Sequence, residues 1–452
     1  MPPTATDRDT RRPLARLAAT LGLGLLLIPT LSSGQPPRPV PNLPPPPMVL
    51  LPVPAGQPQG KNNGPNADPR PVFSLGDCVA IALERNPSLK AALSSQQAAA
   101  AGQKGLNNIG RVGQTVSPDL QVRKEQAARG QIAVAADIQK VHNEVVYDVT
   151  RMYYTVIYAR QQQEIADDVV AKLDLLVQQA KALLKSKDLQ GMTQAKLDVM
   201  EIGLSQAKML QLQARQGQVR AYAALREAMG VDRSCAFRVQ DAGLPLMSQR
   251  VPLTIDDVVL MALTRRPEMA LAAAGVDAFR LEVYAQARIP FRRSVPTLAS
   301  GSDIHARPIP QGSRDENYRP EAIAPEMPVQ LVGSKYDRVC RAMAFSQRAD
   351  AVYEKAHNLI TLEAENGFYV LEQAAERVVL ARAGFDSSQD LKDRVLENFA
   401  DPKSPKDDLL RGYVVATKGE SDYVDAVFQY VLALAALERI TAGGVKPAFP
   451  GR

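Results

Sequence analysis

The stretch from Val141 to Gly230 constrains the fold most, because apolar and small residues recur along it at helical spacing. One stripe runs through Val145, Val149, Met152, Val156, Val169, Leu173, Leu176, Ala180 and Leu183. A second runs through Leu197, Met200, Leu204, Ala207, Ala214, Ala221, Leu225 and Ala228, with Gln211 and Gln218 in two of its seam positions. Three–four spacing of this kind is a coiled-coil seam. The polar stretch Ser186–Thr193, which contains Gly191, separates the stripes. Together they predict two antiparallel helices of roughly 65 and 55 Å at a rise of about 1.5 Å per residue. An alanine-rich seam buries little apolar surface per residue, so such a hairpin needs neighbours.

A shorter pattern occurs twice. Ser74, Leu75, Gly76, Asp77, Val79, Ala82, Leu83, Arg85 and Pro87 return 180 positions later as Thr254, Ile255, Asp256, Asp257, Val259, Ala262, Leu263, Arg265 and Pro267. Each copy reads as a short capped helix that stops before proline, and each is followed by alanine-rich helical sequence. A long hairpin then follows in both copies. In the second it runs from about Arg338 to Phe399, turns through Asp401–Pro405, and returns from Lys406 to Thr441. The chain is therefore read as an internal duplication, with repeats at 72–250 and 251–443 and a tail at 444–452. Between the helices of each copy lie Leu106–Ala136 and Pro290–Lys335, where short alternation (Leu120, Val122, Ile132, Val134; Val329, Leu331) suggests weak strands. The first of these segments has no aromatic residue, and the second is broken by Pro296, Pro308, Pro310, Pro320, Pro325 and Pro328.

Composition agrees with a mainly α fold. Aromatic residues make up 5% of the chain against 45% hydrophobic overall, with no Trp, so the apolar content leans on Ala, Leu and Val. The 54 basic and 48 acidic residues are interspersed, which describes a solvated helix surface and no nucleic-acid footprint. Residues 1–34 read as an export signal: Arg8, Arg11, Arg12 and Arg16 precede the apolar run Leu17–Ile28, and Ser32-Ser33-Gly34 offers small residues for cleavage. The run is too short to span a bilayer. Residues 35–71, with Pro44–Pro47, read as an extended, disordered tether.

The duplicated order of these features resembles the outer-membrane efflux protein family, the TolC-like channels. The residues that carry the resemblance are Leu75, Asp77, Ala82, Leu83, Asn86 and Pro87 in the first copy, and Ile255, Asp257, Ala262, Leu263 and Pro267 in the second. Gly191 with Leu197-Asp198-Val199, and Leu437-Glu438-Arg439 with Gly443, complete it, over about residues 73–443. The resemblance implies a homotrimer whose helices form a hollow barrel, with strands in the outer-membrane lipid. It implies a passive conduit coupled to a periplasmic adaptor and an inner-membrane transporter. The alternative is a barrel-reduced envelope scaffold without channel activity. With no phosphate-cradling glycine loop and no nucleophile elbow in the sequence, no cofactor and no enzymatic activity are expected.

Within that resemblance the hairpin turns at Lys185–Thr193 and Phe399–Asp408 form an adaptor-facing tip, with Asp188, Gly191, Thr193, Pro402 and Pro405 as contact residues. Asp407 and Asp408 become candidates for a pore aperture where three copies would ring a constriction with carboxylates. Their plain alternative is an acidic first helical turn that complements the helix dipole. No catalytic or metal constellation is present in the sequence: His142, His305 and His357 are isolated. Cys78, Cys235 and Cys340 have no metal spacing; Cys78 reads as a small buried residue, with a Cys78–Cys235 disulfide as the other possibility. Tyr147, Tyr153, Tyr154 and Tyr158 read as interhelix packing.

Overall fold

The computed structural model describes residues 70–109, 117–185, 193–245, 253–289, 333–398, 406–447 and 449, with residues 406–408 described by their backbone alone. The expected signal and tether (1–34 and 35–71) lie outside the described residues up to Arg70. The chain runs β1 (Val72–Phe73), α1 (Leu75–Arg85), α2 (Pro87–Asn107), α3 (Leu120–Lys185), α4 (Gln194–Met229), β2 (Arg238–Val239), α5 (Ile255–Arg265), α6 (Pro267–Arg288), α7 (Lys335–Glu397) and α8 (Lys406–Ile440). No described helix is long and apolar enough to cross a membrane.

The duplication is visible element by element. α1 and α5 each have 11 residues and begin with a capping box, in which Ser74 or Thr254 accepts from the backbone N–H of Asp77 or Asp257 while that aspartate accepts in return. Each ends where the next residue but one is proline, and α2 and α6 start on Pro87 and Pro267. The long arms α3 and α7 have 66 and 63 residues, and the return arms α4 and α8 have 36 and 35. α1 packs on α3 as α5 packs on α7; α3 also packs against α6 and α8, which joins the repeats.

The first stripe predicted from the sequence faces inward. Val145, Val149, Val156, Leu173, Leu176 and Ala180 are buried, as are Leu197, Met200, Leu204, Ala207, Ala221, Leu225 and Ala228 of the second. Tyr147, Tyr153 and Tyr154 are buried, and Tyr158 stacks on Phe428 with ring centroids 4.3 Å apart. The second hairpin closes by a different device. Gly412, Gly419, Ala426, Ala433 and Ile440 recur every seventh residue of α8. A Cβ on Gly412 would lie 2.9 Å from Val395 Cγ2, and one on Gly419 would lie 2.7 Å from Ser388 Cβ. Each bare backbone therefore receives a side chain from α7, and the two helices approach more closely than alanine would allow.

The expected strand in the first repeat needs correction. Residues 120–136, read as weak strand, are the first turns of α3, with Leu120, Val122 and Ala136 buried. Leu120, Val122 and their neighbours share a helix face with Arg123 and Gln126, so the short alternation was part of a helical pattern cut too early. Among the described residues the only sheet is the parallel pair β1–β2, Val72 opposite Arg238 and Phe73 opposite Val239, which was not anticipated. The 290–332 part of the second weak-strand segment lies outside the described residues.

The three cysteines are free: Cys78 buried, Cys235 half-buried and Cys340 exposed. Burial, helped by Asp77, pushes the Cys78 thiol up to about 12, which leaves it an inert packing residue. The C-terminal residues expected as a tail contribute to the core, since Val445 and Phe449 are buried and the Phe449 ring sits 5.3 Å from that of Tyr154.

The seam yields a paired prediction. Gly419→Val should cost about 1–3 kcal/mol by overpacking against Ser388. Gly217→Ala, where a new Cβ meets nothing within 4 Å, should gain roughly 0.5–1 kcal/mol from helix propensity. Urea unfolding monitored by circular dichroism distinguishes the two; equal effects of either sign would contradict a close-packed α7–α8 seam.

Candidate functional site

The hairpin ends are where the sequence placed function. Thr193 is the N-cap of α4, in extended backbone, and its hydroxyl accepts from the Lys196 N–H at 3.3 Å. Asp407 and Asp408 lie in the first turn of α8. Asp188, Gly191, Pro402 and Pro405 lie outside the described residues. Just behind these ends a compact apolar cluster joins both hairpins, with Leu173 and Leu176 of α3, Met200 of α4, Val395 of α7, and Leu409, Leu410 and Tyr413 of α8.

Directly above that cluster sits a polar group that sequence reasoning missed. Tyr413 is fully buried, and its hydroxyl donates to Asp168 Oδ2 of α3 at 2.5 Å. Lys392 of α7 lies 3.1 Å from the same Asp168 oxygen and 3.1 Å from Glu420 Oε2 of α8. One carboxylate of the first repeat is thus held by two donors of the second. Burial would raise Asp168, but the hydrogen bonds from Tyr413 and Lys392 and the lysine charge hold it below its ordinary value. Burial would lower Lys392, yet its hydrogen bonds and the two carboxylates hold it up. Burial and the adjacent Asp168 also raise Tyr413, so all three groups keep their paired protonation states at neutral pH.

The neighbouring Asp167 faces the other way and ties α3 to its own return arm, accepting from Gln211 at 2.7 Å and Arg215 at 2.9 Å. Gln211, a polar residue in an otherwise apolar seam, therefore has a partner across the hairpin. An open groove of about 830 Å³ runs beside this region, lined by Ile165 and Val169 of α3, Leu210 of α4, and Val414, Val415 and Lys418 of α8. The Asp167-Asp168 pair inside an apolar stripe was the available signal for both ties. A lone aspartate pair gives no indication of which partner helix it meets.

Two further polar clusters are buried. At the start of α3, Arg123 pairs with Glu282 of α6 and with Asp119, while Gln126 Nε2 donates to Glu282 at 2.9 Å and to the Ala278 carbonyl at 3.0 Å. Arg338 of α7, fully buried, joins this cluster by donating at 3.0 Å to Gln286, whose Nε2 donates to Glu282 at 2.6 Å, and it also donates to the carbonyls of Gly333 and Ile289. In the middle of the fold Arg266 pairs with Glu268 and Glu363, and Arg439 donates to Glu363 at 2.6 Å. Burial would raise Glu363, but the two guanidiniums hold it below its ordinary value. These clusters fix helices to one another. Among the described residues no group of His, Cys, Asp and Glu could hold a metal ion.

No family model matches the sequence, and no curated protein matches it. Solved structures do. The outer-membrane channel OprN superposes with a TM-score of 0.64 at 15% identity, over 82% of this chain and 90% of its own. The open state of the MtrE outer-membrane channel of Neisseria gonorrhoeae gives 0.62 at 18% identity, over 82% and 89%. The CmeC outer-membrane channel of Campylobacter jejuni gives 0.62 at 12% identity, over 83% and 87%.

The cross-repeat tie has a defined pH window. A depressed Asp168 contributes stability that is complete above its ordinary value of 3.8 and is lost as pH falls through its folded value. A raised Lys392 contributes below 10.5 and loses that contribution as pH rises through its folded value. Tyr413→Phe should therefore cost about 1–2 kcal/mol at pH 7, since Asp168 can regain water, and less near pH 3. Urea unfolding at both pH values checks this. A cost that does not change with pH would place the effect in packing alone.

Proposed function

We propose that this chain, which has the fold of outer-membrane channels of the TolC type, is the passive conduit of an export system. In this reading it acts as a homotrimer with a periplasmic adaptor and an inner-membrane transporter. The observation that carries it is the outward face of α4. Val199, Ile202, Met209, Leu212 and Val219 all lie there, with Met209 59%, Leu212 60% and Val219 60% exposed. On α7, Val379 and Leu380 are likewise exposed. These residues sit on the face opposite the intrachain seam, and a single chain leaves them in water. Lateral packing of hairpins around a channel would cover them. In that assembly the hairpin ends, with Thr193 and residues 186–192 and 399–405, face the adaptor, and Asp407 and Asp408 ring the aperture.

A second reading, a barrel-reduced envelope scaffold, is favoured by one specific feature. Only residues 108–119 connect α2 to α3. Two membrane-spanning strands need about 18–22 residues before any turn is counted. The first repeat therefore has too little chain for the strand pair that the resemblance implied, because α3 begins sixteen residues before Ala136. The lipid contact would fall to residues 290–332 or be absent.

Reconstitution separates the readings. As a conduit, full-length protein should give cation-selective conductance in planar bilayers, and Asp407→Asn with Asp408→Asn should reduce both the selectivity and block by multivalent cations. Unchanged selectivity in that variant would leave the two aspartates as helix-capping residues only. Protein released from envelopes by alkaline carbonate, with no conductance, would instead establish the scaffold.

A further inference from the structure

Between the two repeats, two guanidiniums converge on one aromatic ring. Arg151, one turn after Tyr147 on α3, has its guanidinium carbon 5.9 Å from the Tyr147 ring centroid, and Arg439 of α8 has its own at 5.4 Å. Both line a cavity of about 220 Å³ together with Glu363 and Asn366 of α7 and Gln429 of α8. The charges of its lining do not balance. Arg151 and Arg439 contribute two guanidiniums, whereas Glu363 contributes one carboxylate, which Arg266 and Arg439 already engage.

Arg151 is the cation in excess. It is half-buried, it makes no ion pair among the described residues, and its Nε is buried without a hydrogen-bond partner, as is Nε of Arg439. Glu144, Asp148 and Glu227 line a separate cavity on the other flank of Arg151, and none reaches ion-pair distance. On the far side of Tyr147 and Arg439, a cavity of about 230 Å³ adds His142, Lys446 and Glu438, and none of these pairs with Arg151. A guanidinium has donors and no acceptor, and its planar fork matches an oxyanion. Since a water molecule takes up about 30 Å³, the Arg151 cavity has room for a small oxyanion with some of its hydration.

We infer that the cavity bounded by Arg151, Tyr147, Asn366, Gln429, Arg439 and the already paired Glu363 is a binding site for a small oxyanion such as phosphate, which would bridge the first repeat to the second. Arg151 supplies the free fork, Arg439 and the amides of Asn366 and Gln429 supply neighbouring donors, and Tyr147 orients both guanidiniums by cation–π contact. A ligand bound only by the folded chain would also stabilise it in proportion to its saturation. This site is independent of the export reading.

Isothermal titration of detergent-solubilised full-length protein with inorganic phosphate, at constant ionic strength, tests the assignment. One saturable site per chain is expected. Arg151→Gln should weaken binding by at least about tenfold, the loss of a charge-assisted hydrogen bond, while Arg215→Gln, which alters a surface pair with Asp167, should bind as the wild type does. Arg151→Lys keeps the charge without the fork and should bind several-fold more weakly; it serves where Arg151→Gln fails to fold. Absence of a saturable heat, or wild-type affinity in either Arg151 variant, would overturn the site.

Discussion

The close approach of α7 and α8 is the constraint on which the second half of the fold depends. A helix of 63 residues has most of its surface in water unless neighbours run beside it for much of its length. Small residues at four successive seventh positions of α8, Gly412, Gly419, Ala426 and Ala433, let α7 side chains reach its backbone, so dispersion contacts accumulate along the seam although each of these residues is small. Gly367 shows the same device with the roles reversed, since a Cβ there would lie 2.5 Å from the Ile440 side chain. The first hairpin does without bare backbone. It alternates Leu and Met with Ala and places Gln211 where α3 offers Asp167. Both hairpins therefore spend their apolar residues on inward seams, and what is left outside on α4 is a second apolar stripe that stays exposed among the described residues.

Much of this was legible beforehand. The 180-residue displacement of the capped helices, the three–four seam of α4 and the start of α8 at Lys406 all rest on local rules, namely capping, proline stops and helical periodicity. Gly230 followed the same logic. Its backbone has φ of +65°, and a Cβ there would meet the Arg85 carbonyl at 2.9 Å, so the end of α4 docks on the last turn of α1. The errors arose where a signal was non-local or too short. β1 and β2 are two residues each, below any period, and they pair across most of the first repeat. The first turns of α3 were misread because a buried arginine and glutamine interrupt the apolar stripe, and only the structure shows that Glu282 and Ala278 of α6 satisfy them.

The same non-locality governs the candidate site. The tip residues are expected only from their place in the duplicated order, and the N-cap role of Thr193 was not among the expectations. The Asp168–Tyr413–Lys392–Glu420 group was not, because its members come from three helices and two repeats. Buried ions of this kind add little net stability compared with apolar packing, but removing one partner is costly. Their value here is registry. Asp168 fixes α3 against the second hairpin near its free end, Glu363 fixes α7 against α8 and α6 in the middle, and Arg123 with Arg338 does so at the opposite end of the long helices. Each hairpin is thereby held at a set offset along its neighbour, which a smooth apolar seam alone would leave free to slide.

The central claim is that the outward stripe of α4 is an interchain surface. Sedimentation equilibrium of detergent-solubilised full-length protein, compared with a Met209→Glu, Leu212→Glu variant, tests it most directly. Both residues point to water in the single chain, so the variant should keep its helical circular dichroism. The account predicts a trimer for the wild type and a folded monomer for the variant. A monomeric wild type, or a variant that still forms the wild-type oligomer, would contradict it.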